Sequence, residues 1–384
     1  MLDVLIVGAG PAGAVAATVL ARAGARVLLV DRATFPREKM CGDTINPGTL
    51  ALLRRLRLAD AIDCRGRPVA GMLVTGEGGV AVEGRYPDGL TGRALRRSEL
   101  DSMLLEQAIG AGAGFEGGLP VRAPIVTEAS GRRFVEGAVT GANGRTRSIR
   151  ARVTIAADGR RSTLAFGLRL ARHPIRPRRW AIGGYFEAET NASSLGEMHI
   201  RRGRYIGVAT IAGGLTNICV VKPAAGGDCE FRDPEALLLR AIAEEPLLRD
   251  RFVGRRPVCA PLMLGPLAVD HDHEEIDGLI FAGDAAGFID PMTGDGLRFA
   301  VGGGELAACA ALDALQNGWS GVHKRLVANA RSRFAAKRRF NRAVRALVAS
   351  PPVLRAATMS ARVAPSLVAP LIAYAGDCGL ARNP

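Results

Sequence analysis

Glycine and aspartate residues are concentrated in three short, well-separated segments of this chain. The segments read GAGPAG at 8–13, AADGRRS at 156–162 and FAGDAAGFIDPMTGDG at 281–296. Glycine lets a backbone approach a phosphate closely, and a carboxylate at the end of a strand can accept hydrogen bonds from sugar hydroxyls. Occurring in this order in one chain, the three segments favour a shared site for one ligand that carries both groups.

The first segment has the sequence context of a dinucleotide-binding turn. It follows the apolar run LDVLIV, typical of a buried strand, and opens a helix-forming stretch of small apolar residues. Gly8, Gly10 and Gly13 fall where a tight turn, close approach to a pyrophosphate and close helix packing exclude side chains. Asp31 ends the next predicted strand, where its carboxylate can accept hydrogen bonds from an adenosine ribose. This pattern predicts dinucleotide binding and leaves FAD and NAD open.

The two later segments favour FAD. A predicted strand ends at Asp158-Gly159 and another at Gly283-Asp284, which puts two carboxylates where ligands bind in open α/β sheets. A long helix then begins at about Gly296. Its free N–H groups can face the flavin N1 and C2 carbonyl, which gain negative charge when the ring is reduced. The alternative for Asp284 is an ordinary helix-capping acid.

These motifs resemble the FAD-dependent oxidoreductases of the p-hydroxybenzoate hydroxylase fold, and among them most closely the geranylgeranyl reductase family. GAGPAG with Asp31-Arg32, FPREKMCGD at 35–43, Arg97 in RSELD, Asp158-Gly159 and GDAAGFIDPMTGDG carry the resemblance over most of the chain. It implies an α/β fold: a Rossmann-like FAD-binding domain of the glutathione reductase and p-hydroxybenzoate hydroxylase type, a mixed β-sheet substrate domain, and C-terminal helices.

The same resemblance implies a set of cofactor contacts. Arg97 should contact the ribityl or phosphate region, Asp284 the ribityl hydroxyls, and the Val121 backbone the adenine; the alternative for Arg97 is a solvated surface arginine. The full set is Gly8, Gly10, Pro11, Ala12, Gly13, Asp31, Arg32, Cys41, Gly42, Asp43, Arg97, Val121, Asp158, Gly159, Gly283, Asp284, Pro291, Gly294, Asp295, Gly296 and Leu297.

Cys41 is the one candidate catalytic residue. Reductases of this family have a cysteine-glycine turn near the flavin, and Cys41-Gly42 matches it. A thiol there could shape the substrate face or donate a proton to a carbanion-like centre, whereas an isolated cysteine is more often a small buried hydrophobe. Asp43 departs from the glycine-rich form of the turn and resembles the CGD version of quinone-isoprenoid reductases.

A second departure concerns the substrate. Reductases of archaeal-type lipids commonly carry a YxWxFP segment on the substrate sheet, and the corresponding stretch here, 204–221, reads RYIGVATIAGGLTNICVV. Tyr205 remains, but the tryptophan, phenylalanine and proline are absent. No WxWxIP segment is present either, which disfavours a flavin-dependent halogenase.

The sequence therefore predicts an FAD-dependent oxidoreductase that takes hydride from NAD(P)H and reduces a carbon-carbon double bond of an apolar, isoprenoid-like substrate. Only one nucleotide-binding βαβ unit is visible, so NAD(P)H is expected to bind transiently over the flavin. The alternative is a monooxygenase of the same fold that hydroxylates or epoxidises. A third interpretation is a flavoprotein that acts as a binding or assembly partner without turnover.

The motifs also set the expected domains. The FAD-binding domain is expected to combine 1–70, 97–170 and 270–318, and the substrate domain 71–96 and 171–269. Residues 319–384 should form a C-terminal helical region that is rich in arginine. The triple glycine at 302–304 lies inside a predicted helix and follows no strand, so it indicates close helix packing and not a second dinucleotide site.

Charge and cysteine content bear on partners and location. The net charge is +14, which can attract an anionic membrane surface, an anionic isoprenoid or an acidic carrier protein, or can reflect genomic composition. Nucleic acid is not expected, because aromatics are few and the basic residues are scattered. The seven cysteines lack CxxC spacing, which favours a reducing cytoplasm, with peripheral membrane contact as an open alternative. VDHDHEEID is expected to be a polar loop, so no metal site is predicted. The sequence selects no oligomeric state.

Overall fold

The computed structural model describes residues 2–129, 131–142, 144–175, 178–189, 192–224, 229–272, 274–288, 292, 294–350 and 368–382. Pro291, one of the predicted cofactor contacts, lies outside the described residues, as does the histidine of VDHDHEEID at position 273.

The described strands form two large sheets and two small ones. They are β1 (Leu2–Val7), β2 (Val27–Val30), β3 (Thr44–Ile45), β4 (Arg67–Val69), β5 (Gly71–Thr75), β6 (Ala81–Arg85), β7 (Gly92–Ala94), β8 (Gly114–Glu116), β9 (Val121–Ala129), β10 (Arg132–Ala142), β11 (Arg145–Ala156), β12 (Ala171–Arg172), β13 (Arg179–Glu187), β14 (Leu195–Arg201), β15 (Arg204–Ile211), β16 (Leu215–Pro223), β17 (Leu262–Leu264), β18 (Asp270–His271) and β19 (Leu279–Phe281).

The helices pack on the sheets and on one another. They are α1 (Pro11–Arg22), α2 (Pro47–Arg55), α3 (Asp60–Arg65), α4 (Arg97–Gly110), α5 (Thr163–Gly167), α6 (Pro234–Ala243), α7 (Pro246–Phe252), α8 (Gly296–Asn317), α9 (Val322–Ala349), α10 (Val368–Ala375) and α11 (Cys378–Arg382).

The first large sheet is built around parallel strands. Its order is β8-β2-β1-β11-β10-β9, with β19 also paired to β11. β8, β2, β1, β19 and the second half of β11 run parallel, whereas β9, β10 and the first half of β11 are antiparallel. The parallel strands are apolar on both faces because helices cover them, and Ile6 and Ile155 are fully buried.

α1 and α8 lie against each other on this sheet with very little space between their backbones. A Cβ placed on Gly304 would lie 2.3 Å from the Ala12 carbonyl oxygen, so the helices can meet only because this position is glycine. The interpretation of the triple glycine as a helix-packing element is confirmed.

The second large sheet is mixed, in the order β17-β13-β16-β15-β14-β5-β6, with β14 and β5 parallel. Its outer face is covered by α6 and α7 through an apolar cluster that includes Ile182, Ile206 and Val220. Its inner face is directed to the first unit. The strands come from 71–85 and 179–264, inside the segments assigned to the substrate domain, while the domain boundaries themselves stay predictions.

The C-terminal region is helical where it is described. Phe340 on α9 packs edge-on against Tyr374 on α10, and Ile372 of α10 is buried against β6. Lys337 joins these parts, since its ammonium group donates to the carbonyls of Tyr374 and Ala375 at 2.7 and 2.8 Å. Within the described residues, none of the helices is both long and apolar enough to cross a bilayer.

Candidate functional site

The glycine turn, residues 8–13, connects β1 to α1 and has no room for side chains at two positions. Gly8 has φ +100°, and a Cβ there would lie 2.4 Å from the carbonyl oxygen of Ala157. A Cβ on Gly13 would lie 1.8 Å from the Gly8 carbonyl oxygen. Pro11 begins α1 and supplies the φ angle a first helical turn requires. The turn therefore presents bare backbone at the N-terminus of a buried helix, where anions bind.

Asp31 fastens this turn to β2. Its carboxylate accepts hydrogen bonds from the N–H groups of Ala9 at 2.8 Å and Ala33 at 2.9 Å. Each carboxylate oxygen has a second lone pair, so these bonds leave capacity for ribose hydroxyls. The Leu119 N–H donates to the Asp31 carbonyl at 2.8 Å, which brings the start of β9 and Val121 to this side of the sheet. Arg32 is exposed beside it.

One carboxylate oxygen of Asp158 is a buried hydrogen-bond acceptor to which none of the described residues donates. Its Oδ2 accepts from the Thr163 N–H at 2.7 Å, but its buried Oδ1 has no hydrogen-bond partner among the described residues. Burial raises the pKa of the Asp158 carboxyl, and hydrogen bonds from Ser162 and Thr163 partly offset this. A buried acceptor without a donor is costly, so this oxygen, beside the glycine turn and Gly159, fits a ligand that provides a hydroxyl group.

Asp284 lies in a 3-10 turn, Gly283–Ala286, directly after β19. α8 begins only at Gly296, so the alternative that Asp284 caps this helix is wrong. Two basic side chains share its surroundings. Burial lowers the pKa of Lys39 and lowers that of Arg160 to about 10, and in both cases the charge of Asp284 acts in the opposite direction. Asp284 is thus a carboxylate at the sheet edge with two basic side chains within electrostatic reach.

The N-terminus of α8 is open on one side and anchored on the other. A Cβ on Gly294 or Gly296 would meet no described atom within 4 Å. The carboxylate of Asp295, expected as a cofactor contact, lies 3.2 Å from the Lys337 ammonium and accepts from the Asn46 amide at 3.4 Å. These contacts direct the Asp295 side chain toward the C-terminal helices. Leu297 is buried in the core and positions the first turn of the helix.

Arg97 is buried and forms an ion pair with Asp101, so the alternative of a solvated surface arginine is wrong. Its guanidinium donates two hydrogen bonds to the Asp101 carboxylate, at 2.9 and 3.0 Å. Arg37 also pairs with Asp101, at 3.1 Å, and its guanidinium lies against Gly10. Burial alone would lower the pKa of Arg97, but Asp101 and a side-chain hydrogen bond to Cys41 outweigh it and raise that pKa. The Arg97 guanidinium is therefore permanently charged.

The cysteine turn, residues 41–43, is held by the second sheet. Asp43 has a left-handed backbone, φ +56°, and is almost fully buried. Its Oδ2 accepts from the Tyr185 hydroxyl and the Asn217 amide, both at 2.6 Å, and its Oδ1 from the Arg97 N–H at 3.2 Å. The same Asn217 amide donates to the Cys41 carbonyl at 2.8 Å. Asp43 is predicted to contact the cofactor, and its carboxylate accepts hydrogen bonds from side chains of β13 and β16.

The inner face of the second sheet carries a row of four residues near the cysteine turn, three of them half-exposed. Gly183, Cys219, Gly207 and Met198 stand opposite one another on four adjacent strands and therefore share one face. Cys219, Gly207 and Met198 are half-exposed although they lie in the middle of the sheet. A Cβ on Gly207 would have one described atom within 4 Å, Cε of Met198 at 4.0 Å. We call this row the glycine groove.

The glycine groove includes the strand where this sequence differs from the YxWxFP segment. Tyr205 is retained and buried, and Gly207 and Ala209 stand where that segment has tryptophan and phenylalanine. At the β13 end of the groove, Met40 lies over Gly183, with Cε 2.2 Å from the position of a Cβ there. The absence of the tryptophan side chain at Gly207 leaves a half-exposed position on the inner face of β15, whereas Ala209 is buried.

Several residues of the site were not found from the sequence. Asp101, Arg37, Lys39 and Arg160 lie near predicted contacts in the chain, and the RSELD and FPREK segments contain three of them. A signal for Asp101 was available, because an acid four residues after an arginine on a helix predicts a pair. Tyr185 and Asn217 had no such signal, since only strand pairing brings them to the cysteine turn.

Comparison with known proteins agrees with this geometry. Residues 1–180 match the family model described as an FAD binding domain. The chain is 33% identical over 325 residues to menaquinone reductase from Mycobacterium tuberculosis, covering 80% of this chain and 75% of that one.

Two solved structures support the fold. A geranylgeranyl bacteriochlorophyll reductase-like protein from Thermoplasma acidophilum has a TM-score of 0.76 at 22% identity, covering 91% of this chain and 87% of that one. A flavin-dependent brominase has a TM-score of 0.82 at 21% identity, covering 98% and 94%. The predicted fold class is confirmed, and the residues around the glycine turn fit FAD.

Proposed function

Because the chain belongs to the FAD-dependent oxidoreductases of the p-hydroxybenzoate hydroxylase fold, whose members include geranylgeranyl reductases, we propose that it reduces a carbon-carbon double bond in the prenyl chain of a lipid quinone. The observation that carries this proposal is that the Asn217 amide holds the Cys41 backbone against the inner face of the second sheet, next to an apolar cluster that includes Met40. The relative named menaquinone reductase supports a quinone-bearing substrate.

The glycine groove suits an apolar chain. The inner-face cluster around it consists of aliphatic, methionine and tyrosine side chains, among them Met40, Tyr205, Val221 and Met292. Burial of a prenyl chain on this surface contributes roughly 25 cal/mol per Å² of apolar area. Such a surface would orient a long hydrocarbon by shape and leave one end at the cysteine turn.

Reduction of an alkene requires a hydride and a proton. Reduced FAD supplies the hydride when it is bound. The Cys41 thiol would donate the proton to the other carbon, and the Arg97 guanidinium would stabilise the thiolate that remains until it takes a proton from water. Asp101, held between Arg97 and Arg37, keeps the guanidinium in place for this purpose. NAD(P)H as the reductant stays a prediction.

The test is an anaerobic half-reaction with menaquinone in detergent micelles. Photoreduced, FAD-loaded protein should be reoxidised by the substrate, and the product should be two hydrogen atoms heavier. Exposure to air afterwards returns a reduced quinone ring to the quinone but leaves a saturated prenyl bond unchanged. A mass that stays two hydrogen atoms higher after air exposure therefore shows that the prenyl chain was reduced, whereas a mass that returns to that of menaquinone shows that only the quinone ring was reduced.

Cys41→Ser provides the residue-level test, with Cys64→Ser, an exposed cysteine on α3, as the matched control. We expect the Cys41 variant to retain FAD and to lose about 100-fold in the rate of alkene reduction, the lower end of what a positioned general acid contributes. A product that gains an oxygen atom from O₂, with no reaction in its absence, would replace this proposal with the monooxygenase alternative.

A further inference from the structure

Asp43 connects the cysteine turn to two distant parts of the chain. Its three hydrogen-bond donors lie on α4, β13 and β16, at sequence separations of 54, 142 and 174 residues. It is almost fully buried and has a left-handed backbone conformation, which non-glycine residues rarely adopt. Such a conformation persists only where surrounding contacts enforce it, and here the three donors provide them.

We propose that Asp43 is the positioning residue that sets the place and the reactivity of the Cys41 thiol. The proposal rests on the proposed role of Cys41 as the proton donor and extends it to the residues that hold the thiol in position. Tyr185 and Asn217, which were not predicted from the sequence, align the turn through their hydrogen bonds to Asp43.

Two links join the Asp43 carboxylate to its surroundings at the cysteine turn. Through the first, the Asn217 amide donates both to Asp43 and to the Cys41 carbonyl, at 2.6 and 2.8 Å, so it holds the two ends of the turn together. Through the second, Asp43 accepts from the backbone N–H of Arg97, whose guanidinium is held by the Asp101 carboxylate. A shift of the carboxylate therefore displaces the Cys41 backbone and the start of α4.

The protonation state of Asp43 sets the strength of these links, since hydrogen bonds to a charged acceptor are stronger than those to a neutral one. Burial raises the Asp43 pKa to about 6, while the bonds from Tyr185 and Asn217 and the charge of Arg97 act to lower it. Arg96 lies over the Tyr185 ring at 4.6 Å and pairs loosely with Glu38. Above pH 6 the carboxylate is charged and the turn is firmly held, and below pH 6 protonation weakens all three bonds.

The experiment measures the pH dependence of Cys41 alkylation in the FAD-loaded, full-length protein. Iodoacetamide labelling, quantified by peptide mass spectrometry, reports Cys41 separately from Cys259, an exposed cysteine that serves as the internal reference. In the wild type, the Cys41 rate should show an inflection near pH 6 that follows the Asp43 carboxyl. The Cys259 rate should lack this inflection.

Two variants test the assignment. Asp43→Asn should abolish the inflection near pH 6. Tyr185→Phe should move it upward by about one pH unit, because it removes a hydrogen bond that favours the charged carboxylate. Tyr86→Phe, at a buried tyrosine outside the turn, is the matched control and should leave the inflection unchanged.

The proposal is overturned if the wild-type Cys41 rate shows no inflection near pH 6, or if Tyr185→Phe matches Tyr86→Phe. Should Asp43→Asn fail to fold, the Tyr185→Phe shift still decides the question. Because alkylation needs no substrate, an intact inflection in a protein that does not reduce menaquinone would reject the proposed function and leave the positioning role of Asp43 standing.

Discussion

The glycine turn and the cysteine turn face the same site but are built in different ways. The glycine turn is held by the backbone and by Asp31, which lies 22 residues from its partner Ala9. The cysteine turn depends on Tyr185 and Asn217, which lie more than 140 residues away and reach it from another sheet. One turn is therefore fixed locally, and the other is fixed by the relative placement of the two sheets.

Because of this difference, the two turns tolerate amino-acid substitutions to different extents. A side chain at Gly8 or Gly13 would collide with backbone atoms, which cannot move without displacing a strand or helix. At the cysteine turn the constraints are hydrogen bonds to side chains, and Gly42 is exposed with no described atom near its Cβ position. We infer that the glycine turn serves binding alone, whereas the cysteine turn carries what is particular to this chain's chemistry.

The largest effect is expected at the glycine turn. Gly13→Ala places a methyl group 1.8 Å from the Gly8 carbonyl oxygen, so α1 must move away from β1. We expect a loss of more than about 3 kcal/mol in the free energy of unfolding, beyond the usual range for overpacking, together with loss of bound FAD. Thermal unfolding and the flavin absorbance of the purified protein measure the two effects.

The matched control is Gly110→Ala at the end of α4, where a Cβ would meet no described atom within 4 Å. This variant should be neutral or slightly stabilising, because alanine favours helices over glycine by roughly 1 kcal/mol. A Gly13→Ala protein with full flavin content and unchanged stability would show that the glycine turn is not locally constrained, and the contrast between the two turns would be lost.

A smaller effect is expected at Asp284, which follows β19 and faces Lys39 and Arg160. Asp284→Ala removes charge-assisted hydrogen bonds to the cofactor worth roughly 1.5 to 3 kcal/mol, which corresponds to about a 10- to 150-fold weaker FAD affinity. Flavin release measured by fluorescence tests this. Glu106→Ala, on the exposed face of α4, is the control and should leave affinity unchanged.

Asp284→Asn sharpens the same measurement. Asparagine keeps an acceptor oxygen but loses the charge, so its affinity should fall between those of the wild type and the alanine variant. If both substitutions retain FAD as tightly as the wild type, the carboxylate at the edge of the first sheet has no part in holding the cofactor, and the site must be assigned to the backbone alone.

The same contrast explains what could be read from the sequence. The glycine turn, the strands that flank it and the start of α8 were predictable, because glycine spacing and apolar runs encode local backbone geometry directly. The second sheet was recognisable from its strand-like runs. The partners of Asp43 were not, since the register that sets Tyr185 opposite Asn217 is a property of strand pairing that no local pattern contains.

Asp295 shows the same limit. Its position before α8 marked it as a cofactor contact, but its side chain is engaged by Lys337, from a helix that begins 27 residues later in the chain. Motif position located the residue correctly at the helix N-terminus. The direction of its side chain depends on how α9 packs, and that information is spread over the C-terminal third of the chain.

The smallest effect, and the most specific one, is expected in the glycine groove. Gly207→Trp restores an aromatic side chain at the position that YxWxFP segments fill with tryptophan, and it should cover the open surface between Cys219 and Met198. FAD content and thermal stability should stay near wild-type values because the groove is half-exposed. The KM for the lipid quinone should rise by about tenfold, since lost contact with the apolar surface removes on the order of 1.4 kcal/mol of binding.

Gly207→Ala is the control for this change, because its Cβ would only touch Cε of Met198 at an ordinary contact distance of 4.0 Å. If the alanine variant behaves like the wild type and the tryptophan variant loses affinity for the quinone but not FAD, the groove is where the substrate lies. Equal KM values in all three proteins would move the substrate elsewhere. The glycine groove would then not bind the substrate, and the second sheet would contribute to the site only through the hydrogen bonds that hold Asp43.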